Sequence, residues 1–351
     1  MENSIGINKP AKSGFQSSWY QILLPAVIGM IVISIMFVKE MNMSALRSIS
    51  FNMSSFGFFL IACSLMLIRD VTMAKRFMHI THNQLSPGQA LNIHLLSEFT
   101  SAVTPAAIGG SSLVVLFLKK EGINSGKSTT IMFINLFLDE LFFIIACPLV
   151  FLFLPLHLLF NSSSIIVASF AYVFSGLYVA RLIWTAILYI GIFHKPQWIK
   201  GLFTVLFRIP FLSRFQQKAN SLTSNLMEAS QEFGKQGFLF WAKSMLLTSL
   251  SWTARFLVVN ALFMIFQPEQ IDHLVVFARQ LVLWVYMVVS PTPGGSGLAE
   301  YSFKAYYSDI FNNPTQIIII TLLWRICSYY LYLLAGMFIL PSWLKKSFTH
   351  R

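Results

Sequence analysis

The chain has 351 residues, 56% of them hydrophobic and only 11% charged, with 34 phenylalanines; soluble domains carry about 25% charged residues, so a water-soluble globular protein is excluded. The formal charge of +12 would suit nucleic acid. The Lys and Arg lie between apolar runs, however, where they set membrane topology and meet anionic headgroups, so no nucleic-acid partner is expected. Cys63, Cys147 and Cys327 each sit inside an apolar run without a CxxC pair, and His79 and His82 lack acidic or thiol company. No disulfide framework, metal site or cofactor is therefore expected.

In chain order, a polar tail (1–18) precedes an apolar run (19–38) that lacks a small-residue cleavage site and reads as a retained span. Residues 54–70 form a second span, and Arg69 with the basic residues of 71–89 reads as its cytoplasmic flank. The stretch 90–118 is apolar but broken at Thr104, Pro105, Gly109, Gly110 and Ser111. Spans follow at 128–155 and 164–190. The loop 191–238 is basic, and its segment 201–208 sets apolar bulk beside the basic Arg208, as helices lying on a membrane surface do. A span at 239–266 leads to a second broken stretch, 274–307, interrupted by Pro291, Pro293, Gly294, Gly295, Ser296 and Gly297. The last span is 316–340, and a basic tail (341–351) ends the chain. Residues 19–340 thus read as one membrane domain.

Proline removes a backbone donor and glycine loosens a helix, so neither broken stretch continues as a regular helix. Irregular backbone at membrane depth is tolerated only inside protein or beside a watery cavity. If 90–118 crossed completely, Lys119, Lys120, Lys127 and the basic residues of 191–238 would lie outside, against the positive-inside bias. Both stretches therefore read as re-entrant hairpins, the first entering from the cytoplasm and the second from outside. The expected fold is an all-α polytopic membrane protein with about six transmembrane helices and two opposed hairpins, an inverted-repeat plan known among transporters. Both chain ends are expected in the cytoplasm of a bacterium, beneath its inner membrane.

Glu98, Asp139, Glu140, Arg255, Glu300 and Arg325 fall well inside apolar segments, and Arg279 lies nearer an interface. A charge at the bilayer centre costs about 2.5–3.5 kcal/mol on insertion scales, so the set points to a polar cavity. After each break the chain resumes near Ser111 and Ser296 as a half-helix, whose free N–H groups suit phosphate. The substrate site is therefore placed on both breaks, with Arg255, Arg279 and Arg325 as further donors. Glu98, Asp139, Glu140 and Glu300 are expected to receive a cationic headgroup or a proton. His94, one turn before Glu98, has the place for a proton relay but reads as a satisfied core histidine. Arg181 and Lys243 are left out because their stems can snorkel to the interface.

Residues 97–105 with Gly109-Gly110, followed by Asp139-Glu140, resemble the first half of the flippase-like family that includes the membrane region of lysylphosphatidylglycerol synthase. The run from Pro291 to Glu300, of pattern Pro-Gly-Gly-x-Gly-x-x-Glu at its end, is similar to that family's second signature. Residues 323–326 with Tyr329 and Gly336 resemble the last-helix pattern. Family members often carry Arg beside the acidic pair, where this chain has Leu138 and Leu141. The resemblance implies a stand-alone lipid translocase without a catalytic domain, moving a phospholipid, aminoacylated lipid or glycolipid between leaflets. An ion-coupled transporter of small solutes, or a lipid-presenting subunit of a separate lipid-modifying synthase, is the alternative expectation.

Overall fold

The computed structural model describes residues 52–104, 109–160, 165–194, 230–266, 271–288, 290, 292–311 and 313–346. The expected first span (19–38), Pro105, Pro291, the segment 201–208, the N-terminal tail and residues 347–351 lie outside the described residues, and residues 341–346 of the expected C-terminal tail are helical.

Helix α1 (Met53–Ile80) starts where the Asn52 side chain accepts from the Ser55 amide at 2.9 Å. Its 28 residues extend about 42 Å at 1.5 Å each, more than the roughly 30 Å hydrocarbon thickness. The helix therefore continues a full ten residues past the expected 54–70 span, and Arg69 and Arg76 lie inside it, both buried. Helix α2 (Pro87–Val103) opens on a Ser86–Gln89 capping box with Pro at N1, the arrangement that satisfies orphan amides at a helix start. Helix α3 (Gly109–Lys120) follows the first break, and α4 (Ser125–Phe153) starts from an Asn124 cap. A short α5 (Leu156–Leu159) precedes α6 (Ile165–Tyr189), which runs into a π turn (Ile190–His194). Then come α7 (Phe238–Phe263), α8 (His273–Met287), α9 (Leu298–Tyr307) and α10 (Pro314–Arg325). A second π turn (Ile326–Tyr330) joins α10 to α11 (Leu331–Lys346).

Five of these described stretches are long and apolar enough to cross a membrane. The protein is an all-α, multi-pass membrane protein. Its outer surface agrees, since Leu60, Leu67, Leu152, Ile183 and Phe338 are exposed, as lipid-facing side chains must be.

Helices α1 and α7 run antiparallel. Ser55 Oγ donates to Ile265 O at 3.3 Å near one end, and the His79 ring meets Phe240 O at 3.1 Å near the other. Helix α3 packs back along α2, so that Gln89 Nε2 donates to Glu121 Oε2 at 2.7 Å beside the start of α4. Helix α9 likewise returns along α8, where Gln280 Nε2 donates to Tyr307 Oη at 2.8 Å. That second unit opens at the other end of α4, since Arg279 Nε donates to Leu158 O at 2.9 Å. An aromatic core of Phe143, Trp252, Phe256, Phe263, Phe303 and Tyr307 ties α4, α7 and α9 together.

The last helix approaches α2 closely at Gly336, where any Cβ would overlap the Phe99 ring. Gly336→Val is expected to lower the stability of the purified protein by about 1–3 kcal/mol or more, the usual cost of overpacking. Gly57→Ala, on α1 where a Cβ meets nothing within 4 Å, should instead be neutral or gain about 0.5–1 kcal/mol from helix propensity. Thermal unfolding in detergent, followed by size-exclusion, checks both.

Candidate functional site

The end of α2, just before the first break, and the second break meet at Tyr329, in the π turn that follows α10. Its hydroxyl donates to Ala102 O in the last turn of α2 at 3.3 Å and accepts from Ser296 Oγ at 3.2 Å. Gly294, Gly295 and Gly297 take φ values of 59°, 69° and 87°, a region open to glycine and strained for other residues. At Gly294 the absence of a side chain is also a matter of space. A Cβ there would overlap the Tyr329 ring and lie 3.0 Å from Ala102 O.

The glycine turn is held from inside. Arg325 Nε donates to Glu300 Oε1 at 2.6 Å, and its two terminal nitrogens donate to Gly294 O at 3.3 and 3.2 Å. Glu300, with no exposed surface, accepts from the Gly297 amide through Oε2 at 2.6 Å. It thus caps its own helix, α9, as a carboxylate at N3 does. The Gly295 amide donates to Thr292 O and the Ser296 amide to Pro293 O. These three amides, expected from the sequence to face a phosphate, are occupied within the chain.

Beside this turn lies a cavity of about 340 Å³, walled by α1, α2, α4, α7, α8, the turn itself, the start of α9 and the stretch from the end of α10 to the start of α11. Gly294, Gly295, Glu98, Asp139, Arg255 and Arg325 line it, as the sequence placed them in the site, and Arg69, Trp252, Trp284 and Tyr332 line it too. Glu98 bridges two guanidiniums, with Arg69 Nη2 at 2.5 Å and Arg255 Nη1 at 3.3 Å. Asp139 accepts a bidentate pair from Arg76 at 2.6 and 3.2 Å and the Trp252 indole N–H at 2.9 Å. Arg69 is further held by Asp70 at 3.0 Å and donates to the Tyr332 hydroxyl at 2.9 Å.

The donors outnumber the free acceptors. Both oxygens of Glu98 and both of Asp139 are engaged by arginine. Among the described residues Arg255, by contrast, makes a single carboxylate contact and stacks over the Trp284 ring at 4.3 Å, with further N–H donors of its five beside the cavity. The carboxylates facing the cavity thus each carry arginine contacts on both oxygens, and guanidinium donors remain beside them.

Other expected site residues are placed elsewhere. Arg279 makes a bidentate pair with Asp309 at 2.6 and 2.7 Å, away from the cavity. Glu140 faces α6, where Arg181 Nη1 reaches it at 2.7 Å; Arg181 is therefore a partner, not a snorkelling side chain. The acidic pair that lacks a neighbouring Arg in sequence thus takes one from α1 and one from α6. Thr104 is half-buried and donates to Thr100 O at 2.5 Å. Gly109, Gly110 and Ser111 open α3, Pro293 precedes the glycine turn, and buried Ser296 donates to Tyr329.

Arg69, Asp70, Arg76, Trp252, Trp284 and Tyr332 escaped the sequence reading. Arg69 and Arg76 were readable from their i, i+7 spacing, which puts both on one helical face. Asp70 follows Arg69 directly within that apolar stretch.

A family model described as the lysylphosphatidylglycerol synthase TM region matches residues 22–336 of the chain. The chain is also 24% identical over 250 residues to a protein named UPF0104 membrane protein from Archaeoglobus fulgidus, covering 69% of this chain and 72% of that relative.

Removing Arg325 strands a fully buried carboxylate and frees the glycine turn. Arg325→Leu should lower stability by about 3–5 kcal/mol. Adding Glu300→Leu to it should recover part of the loss, and Arg325→Lys should fall between, lacking the planar fork. A thermal-unfolding double-mutant cycle measures this, and additive losses would mean that the two side chains are uncoupled.

Proposed function

This chain belongs to the lysylphosphatidylglycerol synthase transmembrane-region family, and we propose that it moves a polar-headed lipid between leaflets by seating the headgroup phosphate on Arg255. The observation that carries this is the cavity's polarity. Its carboxylates are each neutralised by arginine, and Arg255 keeps donors in reserve. Arg69, on the other side of Glu98, lies within reach of the same space. Aromatic walls from Trp252, Trp284 and Trp324 suit the glycerol and acyl portion near the phosphate.

In this reading the two helix–break–helix units are re-entrant hairpins entering from opposite membrane faces, meeting at Tyr329 near the midplane. The unit α2–α3 opens to the cytoplasm of a bacterial inner membrane and α8–α9 to the outside. The work is translocation without covalent chemistry on the lipid, so the protein is a transporter and not an enzyme.

The test is scrambling of fluorescent phosphatidylglycerol in liposomes containing the purified protein alone, read by dithionite quenching. Arg255→Gln should slow transfer and weaken headgroup binding by about tenfold to a hundredfold, the worth of a charge-assisted hydrogen bond of roughly 1.5–3 kcal/mol. Glu232→Gln, at an exposed pair with Lys127, should leave both unchanged. Equal activity in the Arg255 variant would remove the anion site. Binding of soluble glycerol phosphate as tight as that of the lipid would favour a small-solute carrier.

Topology has its own test. On a background with the three cysteines changed to alanine, Lys119→Cys should resist an impermeant thiol reagent in intact cells, and Leu156→Cys should react. The reverse pattern would turn the proposed orientation over.

A further inference from the structure

His94 is buried, with 1% of its surface exposed, and the site described above gives it no task. Its Nε2 lies 3.0 Å from Asp70 Oδ1, the same oxygen that Tyr332 Oη approaches at 2.7 Å and Arg69 Nη1 at 3.0 Å. Arg69 Nη1 lies farther from that nitrogen, at 3.4 Å, and an ionised carboxylate only accepts, so the ring hydrogen is assigned to Nε2, toward Asp70. The Nδ1 lone pair then has no hydrogen-bond partner among the described residues and is the place for a second proton.

The charges around the ring are few. Helix α1 brings Arg69 and Asp70, and α11 brings Tyr332. Helix α2 itself carries Glu98 one turn on, and α7 contributes Arg255 through that carboxylate. Helix α3 has only Lys119 and Lys120, at the end where Glu121 meets Gln89. Two guanidiniums therefore face two carboxylates in this cluster, and a neutral histidine leaves it balanced. A proton on His94 leaves one positive charge in excess. Arg69, Glu98 and Arg255 all line the cavity, so an anion placed there is the counter-charge that the protonated cluster lacks.

We infer that His94 is a proton-binding site linked to the cavity, so that one proton is taken up as one phosphate-bearing headgroup binds. This rests on the anion reading of the cavity and adds its coupling ion. Linkage is reciprocal, so the bound anion strengthens proton binding by the factor by which the proton strengthens anion binding. Anion affinity is greatest at a pH below the histidine's titration in the free protein. It falls as pH rises through that titration and levels off above the titration in the complex. A histidine serving only as a donor to Asp70 gives no such slope.

The experiment titrates the full chain in detergent with dioctanoyl phosphatidylglycerol, whose phosphodiester stays ionised throughout, at pH 5.5, 6.5 and 7.5. Calorimetry in buffers of different ionisation enthalpy counts the protons taken up. Wild type should bind more tightly at pH 5.5 than at 7.5, by up to about tenfold for each pKa unit through which the lipid moves the histidine. Uptake should approach one proton near the titration. His94→Gln, whose amide still donates to Asp70, should bind the lipid without slope or uptake. If that variant is poorly folded, the ¹⁵N spectrum of histidine-labelled wild type with and without lipid reads the same protonation directly. A flat wild-type profile, or an unchanged slope in His94→Gln, overturns the coupling while leaving the anion site standing. Absence of lipid binding at every pH overturns the anion site, and the coupling falls with it.

Discussion

A guanidinium at membrane depth has to be answered by a carboxylate, and the helix arrangement of this protein follows from where those answers come from. Asp139 on α4 takes its arginine from α1, Glu140 from α6, and Glu98 on α2 is shared between α1 and α7. Each of these pairs joins two different helices. Burying two charges offsets only when geometry and secondary hydrogen bonds are good. Here bidentate contacts, the Trp252 indole and the Tyr332 hydroxyl supply them. Of these groups Arg69, Glu98, Asp139 and Arg255 also wall the cavity, whereas Glu140 and Arg181 pair away from it.

The glycine turn depends on the same constraint in a smaller space. Arg325 holds Glu300 and the Gly294 carbonyl together, and Glu300 in turn closes the start of α9. Tyr329 can fill the gap between the two breaks because a π turn displaces that part of the last helix and because Gly294 offers no Cβ. A π turn adds a residue to a helical turn and recurs at functional positions. One arginine, one tyrosine and one bare glycine hold the glycine turn against the end of α2.

Much of the fold was legible because the signals were local. Apolar runs longer than a bilayer's hydrocarbon, and Pro-Gly clusters that interrupt two of them, mark helices and breaks without reference to distant contacts. Helix α1 was read short because Arg69 and Arg76 look like a cytoplasmic flank, and only the carboxylates of other helices justify burying them. The candidate site was legible in part for the same reason. Glu98, Asp139, Arg255 and Arg325 are conspicuous by charge in an apolar context, whereas Tyr332 and Trp284 look like any other aromatic. Glu300 shows how a residue conspicuous by charge can have a different task. Its i, i+3 relation to Gly297 is a capping relation, and capping consumes the amide that the helix start would have offered to a ligand. Arg279 was assigned to the site by charge alone, while Asp309, its partner, sits in a turn just past α9 and carries no helical pattern.

The pairing has an electrical meaning. Arg69, Arg76, Arg181, Arg255, Arg279 and Arg325 are matched one for one by Asp70, Glu98, Asp139, Glu140, Glu300 and Asp309. A membrane potential does work of about 2.3 kcal/mol per elementary charge per 100 mV on a charge that crosses the field. On these twelve groups, moving together, the work sums to nothing. A rigid shift of the body that bears them is therefore favoured by the voltage in neither direction. A lone ionic visitor to the cavity, of either sign, is what would make the same motion sensitive to the field.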